Sequence, residues 1–81
     1  MFILLHNDGV WCKQDSLEEI KEVLVKTGIT NISIDEEIMS IDEGIAQLVD
    51  YGSMGERVQV NNIELCEYGD DYSNMSIVNV D

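Results

Sequence analysis

Residues 34–51 read Ile34-Asp35-Glu36-Glu37-Ile38-Met39-Ser40-Ile41-Asp42-Glu43-Gly44-Ile45-Ala46-Gln47-Leu48-Val49-Asp50-Tyr51, and two readings compete for them. Ile34, Ile38, Ile41, Ile45 and Leu48 are spaced 4-3-4-3, the spacing of one apolar helix face. Within that run, Ile34-Asp35-Glu36-Glu37-Ile38 is nearly repeated seven residues later as Ile41-Asp42-Glu43-Gly44-Ile45. Against a single helix stands the alternation of Thr30–Ile34, which puts Ile32 and Ile34 on one face and Asn31 and Ser33 on the other, as in a half-buried strand. The favoured reading is a strand ending at Ile34, a helical turn or loop, and a helix from Ile41 to Tyr51. Ser40 and Glu43 supply the capping box of that helix and Gly52 its stop.

Upstream, Phe2–His6 is a short apolar run, Asp8-Gly9 is a strong two-residue turn signal, and Val10–Lys13 reads as the returning arm of a hairpin. A helix follows. Asp15 or Ser16 caps it, with Glu18 or Glu19 completing the box, and Leu17, Ile20, Leu24 and Thr27 form an apolar stripe that Val23 widens. Glu22 and Lys26 are set for an i, i+4 ion pair. Gly28 gives the left-handed stop, with Ile29 placed to fold back onto the last turn.

Downstream, Arg57–Val60, Asn61-Asn62 and Ile63–Tyr68 read as a second hairpin, in which Val60 faces Ile63 and Val58 faces Leu65 on one apolar face. Gln59 then faces Glu64, and Arg57 faces Cys66, on the other side. Gly69–Asn74 reads as a polar loop and Met75–Val80 as a last strand, apolar on both faces. Together these segments predict a single-domain α+β protein over residues 1–81, with about two helices packed on a mainly antiparallel sheet of four to five strands.

Charge separates the two halves of the chain. Seventeen Asp and Glu stand against four Lys and Arg, a formal net charge of −13. Residues 27–81 hold twelve acids and one base, Arg57. The plain reading is a solubility surface; the sharper one is a surface made to meet something basic. DNA and anionic membranes both repel a field of this sign, so no direct binding to nucleic acid or membrane is expected. No apolar run reaches the ~20 residues of a membrane span, and no signal peptide is legible at Met1–Leu5, so the chain reads as cytoplasmic.

Catalytic and metal chemistry find little support. His6 is the one histidine, and no GxSxG, P-loop or dinucleotide glycine pattern occurs. Cys12 and Cys66 lack CxxC spacing and read as reduced thiols; with His6 they do not make the paired spacing of a zinc site. Asp70 and Asp71 lie in a polar stretch without the twelve-residue pattern of a calcium loop. The chain therefore reads as a binding protein, not an enzyme, with no cofactor and no dedicated metal.

The acids become the candidate site. If residues 35–50 were helical throughout, Glu36, Glu43 and Asp50 would recur every seven residues, ~10.5 Å apart at 1.5 Å per residue, with Asp35 and Asp42 beside them. Under the split reading Asp35, Glu36 and Glu37 cluster ahead of a helix carrying Asp42, Glu43 and Asp50. Glu64, Glu67, Asp70 and Asp71 extend the set. A carboxylate ladder of this kind approaches the charge density of one nucleic-acid strand, about one charge per ~3.4 Å.

In size, acidity and lack of catalytic motifs the chain resembles small phage- or mobile-element-encoded inhibitors, anti-restriction and anti-CRISPR proteins among them. The resemblance is one of character, and no residue motif is carried over. It implies a host-cell protein that blocks a basic, nucleic-acid-binding surface of a larger protein, as a DNA mimic does. Two other readings stand beside it. One is a bacterial immunity or antitoxin protein anchored by Trp11, Tyr51, Tyr68 or Tyr72. The other is an oligomerising module whose Met75–Val80 strands pair edge to edge in a homodimer.

Overall fold

The computed structural model describes residues 1–7, 9–29, 31–34, 37–60 and 73–80. Along the chain come β1 (Phe2–His6), β2 (Gly9–Gln14), α1 (Leu17–Lys26), β3 (Asn31–Ile34), β4 (Glu37–Ser40), α2 (Ile41–Ser53), β5 (Val58–Val60) and β6 (Ser73–Asn79). The six strands form one sheet in the order β2-β1-β6-β5-β3-β4, and every described pairing is antiparallel. The α+β class is as the sequence predicts, with one or two more strands.

Register explains how the sheet makes a core. Leu4 stands opposite both Cys12 and Ile77, Met75 opposite Val58, Val60 opposite Ile34, and Ile32 opposite Met39. Directly opposed residues share a face, and the period of two carries that face along each strand. The result is one continuous apolar face. Both helices close over it: Ile20 and Leu24 from α1, with Ile41, Ile45 and Leu48 from α2, join the same buried cluster. Each such side chain taken fully out of water contributes roughly 1.5–3 kcal/mol, which is how a chain this short sustains a core.

Both helices have defined ends. The Ser16 hydroxyl oxygen accepts from the Glu19 N–H at 3.3 Å and donates to the Glu19 carboxylate at 3.1 Å, settling the first cap on Ser16 and Glu19. Ser40 accepts from the Glu43 N–H at 3.2 Å, as its motif predicts. At the end of α1, Gly28 takes φ +93°, its N–H bonds to the Val25 carbonyl, and the Ile29 N–H reaches the Leu24 carbonyl at 3.1 Å. Ile29 is buried with Leu24, so the predicted apolar return is made.

Several expectations are corrected. Residues 37–40 are a strand, not a helical turn or loop. The 4-3-4-3 pattern counted Ile38 as inward, yet Ile38 is 75% exposed and its neighbour Met39 is buried. Pairing Ile34↔Glu37 and Ile32↔Met39 buries Met39 beside Ile32, and the helix begins only at Ile41. The continuous helix carrying Glu36, Glu43 and Asp50 on one stripe is thereby ruled out.

Gly52 is not the stop of α2. The helix runs to Ser53, and Gly55 at φ +72° ends it, with the Gly55 N–H on the Gly52 carbonyl and the Glu56 N–H on the Tyr51 carbonyl. Gly52 has another role: a Cβ there would collide with the Ile77 carbonyl of β6. The first hairpin forms, but His6 pairs with Gly9, so residues 7 and 8 make the connection, and a bulge follows at Trp11. Glu22 and Lys26 form no ion pair; among the described residues that bond is Lys21 to Asp42.

The last strand is also reassigned. β6 begins at Ser73 and lies inside the sheet, bonded to β1 along Leu5↔Ser76 to Phe2↔Asn79 and to β5 along Val60↔Ser73 to Val58↔Met75. This inner position, with Gly52 seated at Ile77 beyond the end of β5, leaves less of the Met75–Val80 strand free for pairing across a two-fold than an outer strand would have. Its two apolar faces reflect a central position. The second arm of the expected 57–68 hairpin lies outside the described residues, and so does the register of Ile63, Glu64, Leu65 and Cys66; the described neighbours of β5 are β3 and β6.

Candidate partner-binding surface

Nine carboxylates fall among the described residues, and all nine are exposed: Asp15, Glu18, Glu19, Glu22, Glu37, Asp42, Glu43, Asp50 and Glu56. Ser76 is the one buried polar residue among the described residues. Burying an ionised carboxylate costs several kcal/mol unless it is paired, so an acid-rich chain sorts its acids outward as it folds. The core holds none of them.

Where they gather is set by the helices. Asp42, Glu43 and Asp50 are exposed on α2, and Glu43 and Asp50, seven residues apart, are ~10.5 Å apart along the axis. Glu37 is exposed at the start of β4, on the margin of the sheet. Asp35, Glu36, Glu64, Glu67, Asp70 and Asp71 lie outside the described residues. The sequence reading missed a second row: Glu18, Glu19 and Glu22 on α1, which it credited to capping and to a pair with Lys26. The two helices meet, with Lys21 Nζ of α1 at 3.0 Å from an Asp42 carboxylate oxygen of α2. Six carboxylates from both helices therefore share the helical layer with two lysines, Lys21 and Lys26.

Four of the six also serve their own helix. Glu18 and Glu19 occupy the first turn of α1, and Asp42 and Glu43 that of α2, where the positive end of the helix dipole favours them. Glu22 and Asp50 have no such local role. The Lys21–Asp42 pair is solvent-exposed, and exposed pairs contribute roughly 0–1 kcal/mol. It marks where the two acidic rows meet more than it stabilises the fold.

This crowding has a consequence for stability. Raising ionic strength from about 0.01 M to about 0.15 M shortens the screening length from roughly 30 Å to roughly 8 Å, which relieves repulsion across the helical layer. The melting temperature is expected to rise by several degrees over that range, and calorimetry checks it. A flat or falling melting temperature contradicts the charge distribution described here.

The remaining candidates are occupied by structure. Trp11 and Tyr51 pack against the core as partly buried residues, and His6 meets Trp11 edge to face at 5.6 Å. Tyr68 and Tyr72 lie outside the described residues. The Arg57 guanidinium donates from Nη1 to the His6 carbonyl at 3.1 Å. Because β6 separates β5 from β1, that bond straps the sheet across a whole strand. The Asn74 N–H closes the same end onto Asn7 Oδ1 at 2.7 Å.

Cys12 faces the core from β2, and burial pushes its thiol above the ordinary range by disfavouring the thiolate. In a Cys66→Ser background, Cys12 is expected to alkylate more slowly at pH 8 than a free cysteine and to gain rate as pH rises. Faster alkylation would mean that the thiol is neither buried nor raised. Among the described residues, no group of three or more His, Cys, Asp and Glu side chains is arranged to hold a metal ion. No helix among them is long and apolar enough to cross a membrane. Compared with protein-family models, with curated proteins and with solved structures, the chain matches none of them.

Proposed function

We propose that this protein is an acidic inhibitor that occupies a basic, nucleic-acid-binding surface of a larger protein in the cytoplasm of a host cell. One observation carries the reading: two helices in contact present Glu18, Glu19, Glu22, Asp42, Glu43 and Asp50 on one exposed layer, in a chain of formal net charge −13. A field of that sign steers toward Lys- and Arg-rich grooves, and such association weakens steeply with salt. The anti-restriction and anti-CRISPR type of inhibitor, in which acids stand in for phosphates, is the form this function takes. The proposed role is binding without catalysis, metal or cofactor.

The immunity or antitoxin reading is weaker, because Trp11 and Tyr51, two of the aromatic anchors it calls on, are engaged with the core. The test is capture of partners by the tagged full chain from host lysate at low and at high salt. Nucleic-acid-binding proteins that are held at low salt and elute as salt rises support the proposal. Capture that ignores salt contradicts it.

A further inference from the structure

The sheet has two outer strands, and they differ. β2 is bulged at Trp11 and carries an exposed lysine, Lys13, and both features discourage pairing with another strand. β4 has neither. It pairs with β3 without a break from Ile34↔Glu37 to Asn31↔Ser40, and among the described residues no strand meets its other edge. Counted from the pair that closes the two-residue connection, the alternation of an antiparallel ladder turns the N–H and C=O of Ile38 toward that open edge. Ile38 is also the most exposed large hydrophobic residue among those described.

We propose that the open edge of β4 receives an extended, basic segment of the partner protein, which adds a strand to the sheet. This rests on the reading of the partner as basic, and it names the part of the partner that docks. Charge decides the occupant. Glu37 is exposed on β4 itself, and Asp42 and Glu43 are exposed in the first turn of α2 directly after it. A segment alternating Lys or Arg with an apolar residue places its charges near these acids and its apolar side chains beside Ile38, while main-chain bonds supply the pairing. A second copy of this chain would bring the same acids and its own −13 to the edge, and like charges facing each other across a strand pair are destabilising.

The probe is a short labelled peptide alternating valine and lysine, compared with an analogue N-methylated at alternate residues. The analogue carries the same charge but cannot bond along one edge. By fluorescence anisotropy with the full chain, the parent peptide is expected to bind at least about tenfold more tightly, a difference of ~1.4 kcal/mol. Ile38→Pro removes the outward N–H and is expected to abolish that preference. Ile38→Lys does the same through repulsion at an exposed position and retains the fold even where proline does not; circular dichroism monitors both variants. Equal affinity of the wild type for the two peptides overturns strand addition and leaves the acidic-surface reading standing. Binding of neither peptide overturns strand addition and counts against that reading as well. A free protein that proves to be a dimer dissociated by Ile38→Lys also overturns it, since the occupant is then a second copy.

Discussion

Gly52→Ala is expected to destabilise the domain by about 2–3 kcal/mol or more, a large share of the roughly 4–12 kcal/mol that a domain of this length commands. Helix propensity alone argues the opposite: alanine in a helix interior is favoured over glycine by ~1 kcal/mol. The steric term wins because of what the new methyl meets. A Cβ at Gly52 would run into the Ile77 carbonyl oxygen and lie 3.2 Å from the Val78 nitrogen, and both atoms belong to the backbone of the inner strand β6. A flexible side chain could swing aside, but β6 is tied to β1 and β5 and has no room to yield. Helix α2 must lift instead, which loosens Leu48 and Ile45 from the core. Urea unfolding measures the effect, with Gln47→Ala on the exposed side of the same helix expected to be near neutral. If Gly52→Ala stabilised the protein as propensity predicts, the seating of α2 on β6 described here would be wrong.

The second large effect concerns binding. Neutralising Glu18, Glu22, Glu43 and Asp50 together, as Gln and Asn, is expected to weaken low-salt affinity for the proposed basic partner at least about tenfold, ~1.4 kcal/mol. Exposed charge pairs contribute roughly 0.2–1 kcal/mol each, so four of them span about 0.8–4 kcal/mol, a range whose middle exceeds that figure. These four leave the Ser16–Glu19 cap bonds and the Lys21–Asp42 bridge in place. Losing the favourable first-turn charges of Glu18 and Glu43 offsets the fall in self-repulsion, so the variant is expected to keep the fold with a melting temperature near the parent's. Titration of the purified partner, with melting curves run alongside, checks both statements. Undiminished affinity in a folded variant would remove the helical layer from the interface.

Local features were legible in the sequence, and tertiary ones were not. Gly28 with Ile29, the serine caps at Ser16 and Ser40, and the first hairpin all rest on contacts within a few residues, so motif and periodicity find them. Ile38 and Met39 show the limit. Helical spacing and a two-residue hairpin give nearly the same apolar pattern over so short a stretch, and only the presence of β3 alongside decides which of the two is buried. Gly52 misled for a related reason. A glycine near a helix end reads as a stop, while its close approach to Ile77 is a contact between elements that no local pattern encodes.

The candidate surface divides in the same way. Glu37, Asp42, Glu43 and Asp50 were found as exposed acids by their place in a run of charge. Glu18, Glu19 and Glu22 join them only because α1 and α2 lie side by side, and the Lys21–Asp42 contact that records this joins residues 21 positions apart.

If the acids stand in for a nucleic-acid backbone, as proposed, duplex DNA displaces the protein from its partner. The partner captured by the tagged chain at low salt is challenged with increasing duplex DNA at constant ionic strength. Release of a nucleic-acid-binding partner as DNA is added is the predicted result, because both ligands then compete for one basic surface. A partner that stays bound at saturating DNA and also survives high salt would show that the acids do not occupy a nucleic-acid site.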